Sequence, residues 1–270
     1  MTDPRPLVPV NPEGLSDLVD ELLVPTAATP LPTPSNRIIF APSFITDPEQ
    51  YIGIPQLNRV IAKKETYKNL NWESTIKALA KQETLYMPTI PEFMTHFFNV
   101  REAAQKRGTL YDGRGNPIRR EEAVNLYKYF TTDFEEGCCT WLNAEFVEGS
   151  GALKLDLRAD FRVNAKGKIE YRSVTPLEAS IEEYCYVDLR REKFNKQFLP
   201  TIGQKSSNQN YKVDENIYFY PPGKNTVARF RAGSGRAGFY CFGVPSYSDD
   251  SLGVFACAEG AARENTRGKS

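Results

Sequence analysis

The chain has 270 residues, room for one large domain or two small ones, and its 40% apolar and 25% charged fractions fit an ordinary globular protein. Lys+Arg (34) and Asp+Glu (34) balance, so no long-range field draws it to nucleic acid, and no apolar run is long enough to predict membrane insertion. Five cysteines without a C-x-x-C pair and a single histidine leave little for a zinc ribbon, a disulfide framework or a Ser-His-Asp triad, so neither metal nor cofactor is expected.

Residues 1–35 are rich in proline (Pro4, Pro6, Pro9, Pro12, Pro25, Pro30, Pro32, Pro34), which predicts an extended arm or a disordered tail. Within it, Leu15 to Leu23 can form one short amphipathic helix. The first residues carry no apolar h-region, so a secretory signal is not expected. A single domain is expected over 36–262, followed by a flexible tail at 263–270.

Residues 37–130 read mainly as helix. "IPQLNRVIAKKETYKNL" (54–70) and "WESTIKALAKQ" (72–82) place apolar residues at three- and four-residue steps. "TIPEFMTHFFNVREAAQKRG" begins with Thr89 and has Glu92 three positions on, a capping-box signature, and Gly108 suits its end. His96 falls in the apolar part of this helix and reads as a core residue. "YDGRGNPI" follows as a tight hairpin or loop; it lacks the repeated carboxylates of a calcium loop. "REEAVNLYKYF" gives one more short helix.

From about residue 140 the period changes to two. "TWLNAEFV", "ALKLDLRADFRV" and "GKIEYRSV" alternate apolar with polar residues, and "NAKGK" (164–168) supplies a turn, which predicts antiparallel strands. Cys138 and Cys139 would point to opposite faces, a poor metal pair. "KSSNQN" is a loop. "NIYFYPPG", "VARFRA", "AGFYCF" and "LGVFAC" are further strands. Helices in the N-terminal half and antiparallel strands in the C-terminal half make the fold class α+β.

"RAGSGRAGFYCF" contains G-x-G-x-x-G at Gly233, Gly235 and Gly238. A dinucleotide loop needs a following helix and an acidic residue about 20 positions on. Here "FYCFGVPSYSDD" follows, rich in β-formers and free of helical periodicity, so the spacing is not a nucleotide fingerprint. Alternation explains the glycines better. Ala228, Phe230 and Ala232, then Ala237, Phe239 and Cys241, are small or apolar and suit a core. The opposite set mixes Arg229, Arg231, Gly233, Gly235, Gly238, Tyr240 and Phe242, a combination that no folding preference selects. Between Lys224 and Glu259 there is no Lys, Glu, Gln, Met or Trp, where overall composition leads one to expect about six. Randomising the two adenines of a codon that begins with adenine twice and ends in a pyrimidine gives Asn, Tyr, Asp, Ser, Gly, Arg, Phe and Val among others. It never gives those five.

On these residues the segment "VARFRAGSGRAGFYCFGVPSYSDDSLGVFACAEG" resembles the variable region of target proteins of diversity-generating retroelements of archaea and their viruses. "LYDGRGNPIRREEA", "TWLNAEF" and "IYFYPPG" resemble the same group. The resemblance covers about residues 40–260, with the variable region at about 227–258. It implies a C-type lectin fold of the formylglycine-generating-enzyme type, whose exposed surface binds a ligand and is diversified by adenine-directed reverse transcription. It implies a fixed set at Ala228, Phe230, Ala232, Cys241, Pro245, Leu252, Gly253 and Val254. It implies a ligand-binding variable set of Arg231, Gly233, Gly235, Gly238, Tyr240, Phe242, Val244, Tyr247, Asp249 and Asp250, with Arg229, Arg236, Gly243 and Ser246 at its margin. The chain lacks the Glu-Pro-Asn and Gln-Pro-Asp motifs of calcium-dependent sugar binding. It also lacks the closely spaced cysteine pair of formylglycine-generating enzymes, so catalysis does not follow from the fold. The expected partner is an unidentified protein or surface ligand, met on a virion or cell surface. An enzyme on the same fold, for which "SIEEYCY" offers Glu182, Glu183 and Cys185, and a structural virion or cell-surface module are the alternatives.

Overall fold

In a computed structural model the described residues are 40–82, 84–132, 137–149, 155–178, 180–233 and 236–261. All of them fall in one compact unit of the chain. The proline-rich arm and the 263–270 tail lie outside the described residues.

Three helices are specified locally. Helix α1 (Trp72–Ala80) is capped by Asn71, whose side chain accepts the Ser74 N–H, and it buries Trp72, Thr75, Ile76 and Leu79, one stripe at helical spacing. Helix α2 (Ile90–Ala104) carries the expected capping box between Thr89 and Glu92. It ends at Ala104, earlier than Gly108 suggested, because Lys106 itself adopts the left-handed conformation (φ 60°) that stops it. Helix α3 (Arg120–Thr131) presents Ala123, Val124, Tyr127 and Phe130 to the core.

The helix expected over 54–70 is instead a hairpin of strands β1 (Tyr51–Ile54) and β2 (Arg59–Ala62). Ile54, Leu57, Val60 and Ile61 do recur at helical steps. However, Pro55 cannot donate within a helix and Asn58 takes a left-handed turn conformation (φ 51°). The β-branched pair Val60-Ile61 then lies at the centre of a three-stranded sheet, β1-β2-β10, closed by β10 (Cys257–Glu259). The remaining strands are β3 (Cys139–Glu148), β4 (Leu155–Val163), β5 (Ile169–Pro176), β6 (Cys185–Asp188), β7 (Asn216–Tyr220), β8 (Thr226–Gly233) and β9 (Arg236–Gly243). They form a seven-stranded sheet of order β5-β4-β3-β8-β9-β7-β6, so the class is mixed α+β with strands in both halves of the chain. The pairing is antiparallel except between β7 and β9, which are parallel. The β4–β5 turn closes as read, with the Asn164 N–H donating to the Lys168 carbonyl and Gly167 at φ 75°. "LGVFAC" is not a strand of its own; only Cys257 enters β10, and Gly253 and Val254 make isolated bridges to Thr140 and Thr66.

One face of the large sheet is closed by α2 and α3. Phe93 and Phe97 meet Phe230 of β8 at ring distances of 5.1 and 5.4 Å, and Phe93 meets Phe130 of α3 at 5.8 Å. Full burial of one such ring stabilises the fold by roughly 1.5–3 kcal/mol. Cys138 joins this core, and Cys139 joins the opposite one, as alternation requires. His96 is fully buried here with its ring edge-to-face on Phe130.

The other face is closed only over part of its width. Above β3 and β4, Trp141 and Phe161 pack under Trp72 of α1 and under Leu252 and Val254. Each indole donates to a backbone carbonyl, Trp72 to Leu142 (2.9 Å) and Trp141 to Leu70 (3.0 Å). Over β8, β9, β7 and β6 no described residue covers the same face in the way that α1 covers β3 and β4.

Candidate functional site

The uncovered face is built from alternate residues of four strands. On β8 and β9 every inward position is closed: Ala228, Phe230, Ala237, Phe239 and Cys241 are 0% exposed and Ala232 is 4% exposed. Their outward neighbours are Arg229, Arg231 and Gly233 on β8 and Arg236, Gly238, Tyr240 and Phe242 on β9. Register then sets two rows across the sheet. Arg231 lies opposite Gly238, Gly238 beside Tyr218, and Tyr218 opposite Tyr186. In the next row Arg229 lies opposite Tyr240, and Tyr240 beside Tyr220.

The aromatic groups of these rows touch. The Tyr220 and Tyr240 rings stack at 4.3 Å with planes 17° apart. Tyr218 packs edge-on against Tyr220 (4.8 Å) and Tyr186 (4.9 Å), and Tyr184, just before β6, packs against Tyr220 at 4.8 Å. The arginines lie on these rings: Arg236 is 4.3 Å from the centre of Tyr218, and Arg229 is 5.4 Å from Tyr240 and 5.5 Å from Tyr247. Burial, then the neighbouring Tyr220, raises the pKa of the Tyr240 hydroxyl above its ordinary value, so it stays a protonated donor.

The loop 244–251 borders this face. It is tied down where the Trp72 N–H donates to the Pro245 carbonyl (3.1 Å) and where Leu252 buries. Tyr247 donates its hydroxyl to Asp249 at 2.8 Å, and the Ser251 hydroxyl and backbone N–H donate to the other carboxylate oxygen. The Ser251 hydrogen bonds and that of Tyr247 hold the Asp249 carboxyl down at about 2, so it is an anion throughout the neutral range.

Of the expected surface residues, Phe242, Val244 and Tyr247 are 54%, 56% and 44% exposed, Arg231 and Asp250 are exposed, and Gly233, Tyr240 and Asp249 are half-buried. Gly238 is buried although it lies on the outward side: the Tyr240 ring covers it, and a Cβ there would come within 2.6 Å of Tyr240 Cε2. Gly235 lies outside the described residues. Among the marginal positions Arg229 and Arg236 belong to the face and Ser246 is exposed, but Gly243 does not belong. It is buried, and a Cβ on it would meet the Val227 carbonyl oxygen at 2.6 Å and Trp141 Cζ3 at 3.2 Å. Every residue of the fixed set is buried except Pro245, which is half-buried. Gly233 ends β8 and Gly238 lies within β9, and no helix follows β9 among the described residues to cradle a pyrophosphate.

Sequence reasoning missed Tyr184, Tyr186, Tyr218 and Tyr220. Alternation in "NIYFY" and "YCYVD" places tyrosines on one face of each strand. Nothing local says that those strands adjoin β9.

A separate cavity of about 460 Å³ is lined by Lys63, Lys64, Glu65, Lys68, Glu122 and Tyr129, among others. Glu65 is its one buried carboxyl. Burial pushes its pKa up to about 7, against the pull of hydrogen bonds from the Tyr129 hydroxyl, the Cys138 thiol and the Cys139 N–H. Both of its oxygens are engaged by protein donors, so it acts as a tether between the segment after β2 and the start of β3. Glu182 and Glu183 of "SIEEYCY" are exposed, and Cys185 is half-buried. Among the described residues no group of three or more His, Cys, Asp and Glu could hold a metal ion. No helix among them is long and apolar enough to cross a membrane.

Compared with protein-family models, with curated proteins and with solved structures, the chain matches none of them.

Proposed function

We propose that this chain is a ligand-binding protein whose C-terminal surface is diversified by adenine-directed retroelement mutagenesis, on a C-type lectin fold of the formylglycine-generating-enzyme type. One observation carries the reading. Along β8 and β9 the small and apolar residues are closed off at 0–4% exposure, while the Arg, Gly, Tyr and Phe set lies on the uncovered side. A surface that changes sequence freely must leave the core alone, and period-two alternation meets that need. The contacts of Tyr240, Phe242, Tyr247 and Arg231 with a partner, rather than a catalytic group, are then the functional chemistry. Tyr and Arg are the usual anchors of such interfaces, with glycine lending adaptable shape. Gly243 is left out of the variable set because β8 leaves no room for a side chain there.

The test is the gene's own locus. Sequencing it should reveal a reverse-transcriptase gene and a repeat of the segment encoding about 229–251, differing from it at adenines. Sister genes should vary at Arg231, Gly238, Tyr240 and Phe242 and hold Phe230, Phe239, Cys241 and Gly243 constant. Substitutions spread evenly over both faces of β8 and β9 would overturn the reading.

A further inference from the structure

The aromatic surface does not stop where the proposed variable segment begins. Tyr218 and Tyr220 on β7, Tyr186 on β6 and Tyr184 before it continue the rows of Arg231 and Tyr240, although all four precede the diversified segment in the chain. Tyr184 is 56% exposed, and Tyr186, Tyr218 and Tyr220 are half-buried. Folding alone does not demand four tyrosines here, because their inward neighbours Ile217, Phe219 and Val187 already fill the core at 0% exposure.

The face carries three arginines, Arg229, Arg231 and Arg236, with Asp249 and Asp250 in the loop at its border. Several other described basic residues meet carboxylates, as in Lys63–Glu122, Arg114–Glu49 and Arg158–Glu145. None of Arg229, Arg231 and Arg236 has a carboxylate partner within 4.0 Å among the described residues. Arg236 is surrounded by Tyr186, Tyr220 and Tyr240 and lies over Tyr218. Of the two carboxylates in the bordering loop, Asp249 is taken up by Tyr247 and Ser251, and Asp250 is exposed. Arg236 already donates Nη2 to the Tyr220 hydroxyl at 3.5 Å, so the fork that can grip a carboxylate with two parallel hydrogen bonds is offered first by Arg231, which is exposed.

We propose that Tyr184, Tyr186, Tyr218 and Tyr220 form a fixed half of the recognition surface, and that with Arg229, Arg231 and Arg236 they seat a protein segment bearing carboxylates. The proposal rests on the reading of residues 229–251 as the diversified half. A polypeptide fits better than a single-stranded nucleic acid. Base stacking needs open ring faces, whereas Tyr220 and Tyr240 stack on each other and Arg236 lies over Tyr218. What remains on offer is hydroxyls, guanidinium N–H groups and the exposed rings of Tyr184, Phe242 and Tyr247. The fixed tyrosines supply a common aromatic platform, and the three arginines of the variable half give this chain its attraction for acidic segments.

The experiment is selection of a random twelve-residue peptide library, displayed on phage, against the full chain. The selected peptides are then synthesised and titrated against wild type, Tyr218→Ala, Arg236→Ala, Arg236→Lys, Tyr240→Ala and Phe242→Ala, each checked for an unchanged thermal melt. Enrichment of Asp and Glu is expected. Binding should weaken at least tenfold in Tyr218→Ala and Arg236→Ala, with Arg236→Lys failing to restore it and added salt weakening it further. A selection without binders would overturn the proposal, as would peptides without acidic enrichment, or tighter binding of a twelve-nucleotide oligo-dT than of any selected peptide. Binding that depends on Tyr240 and Phe242 but not on Tyr218 would remove the fixed half and leave the diversified surface standing. Dependence on Tyr218 without Tyr240, Phe242 or Arg236 would keep the fixed platform and overturn the diversified surface.

Discussion

Gly238 and Gly243 lie five residues apart on β9, and substitution by alanine separates them. A Cβ at Gly243 would lie 2.6 Å from the Val227 carbonyl oxygen, 3.2 Å from Trp141 Cζ3 and 3.3 Å from Val227 Cγ2. Val227 and Trp141 are both fully buried, and the carbonyl belongs to the backbone of a central strand, so relief requires β8 to move. Overpacking of this kind costs roughly 1–3 kcal/mol, and a rigid backbone obstacle puts Gly243→Ala near the upper end, about 3 kcal/mol. For a domain of this size that is a fall in Tm on the order of 6–12 °C. A Cβ at Gly238 would approach Tyr240 Cε2 just as closely, at 2.6 Å, but that atom is the far end of a half-exposed side chain. The ring can swing outward. The lost contact with Tyr220 is offset by the roughly 0.4–1 kcal/mol that Gly→Ala gains by restricting the unfolded chain. Gly238→Ala should therefore leave Tm within about 2 °C of wild type. Thermal denaturation followed by circular dichroism reads both. Equal, large losses would show that the outward side of β9 is part of the core, and the division of labour between its two faces would fail with it.

The same division predicts that Phe242→Ala changes stability by less than about 1 kcal/mol, because its ring is 54% exposed, whereas Phe239→Ala, at 0%, costs about 3–5 kcal/mol; denaturant titration of the two decides it. Two buried groups shape the pH profile in opposite directions. Burial holds His96 down at about 3 against an ordinary 6.5, with neither ring nitrogen hydrogen-bonded, so the unfolded chain takes up the proton first. Stability is whole above pH 6.5 and is lost as pH falls toward 3, by up to about 5 kcal/mol, and His96→Leu should flatten that limb. Glu65, raised to about 7 from 4.5, binds its proton more tightly when folded. Its contribution is therefore whole below pH 4.5 and shrinks by up to about 3 kcal/mol as pH rises through 7. Glu65→Gln should remove that decline in denaturation midpoints measured between pH 5 and 8; a profile unchanged by both variants would refute the assignment.

The alternation of β8 and β9 and the capping box at Thr89 and Glu92 were legible in the sequence because each is decided within a few residues of chain. A strand has period two whatever it pairs with, and a cap bonds its own first turn. The segment 54–70 misled for the same reason: helical spacing of Ile54, Leu57 and Ile61 is a local signal, and the hairpin wins through pairing of β2 with β10, nearly two hundred residues away. The neighbours of the exposed face were decided only by tertiary structure. Parallel pairing of β7 with β9 brings Tyr218 and Tyr220 beside Gly238 and Tyr240. The packing of β8 against β9 closes Gly243 to any side chain. The chain thus dictated which way each residue of a strand faces. Which strands stand side by side depends on long-range burial and hydrogen bonding summed over the whole sheet, and no short stretch of sequence encodes that sum.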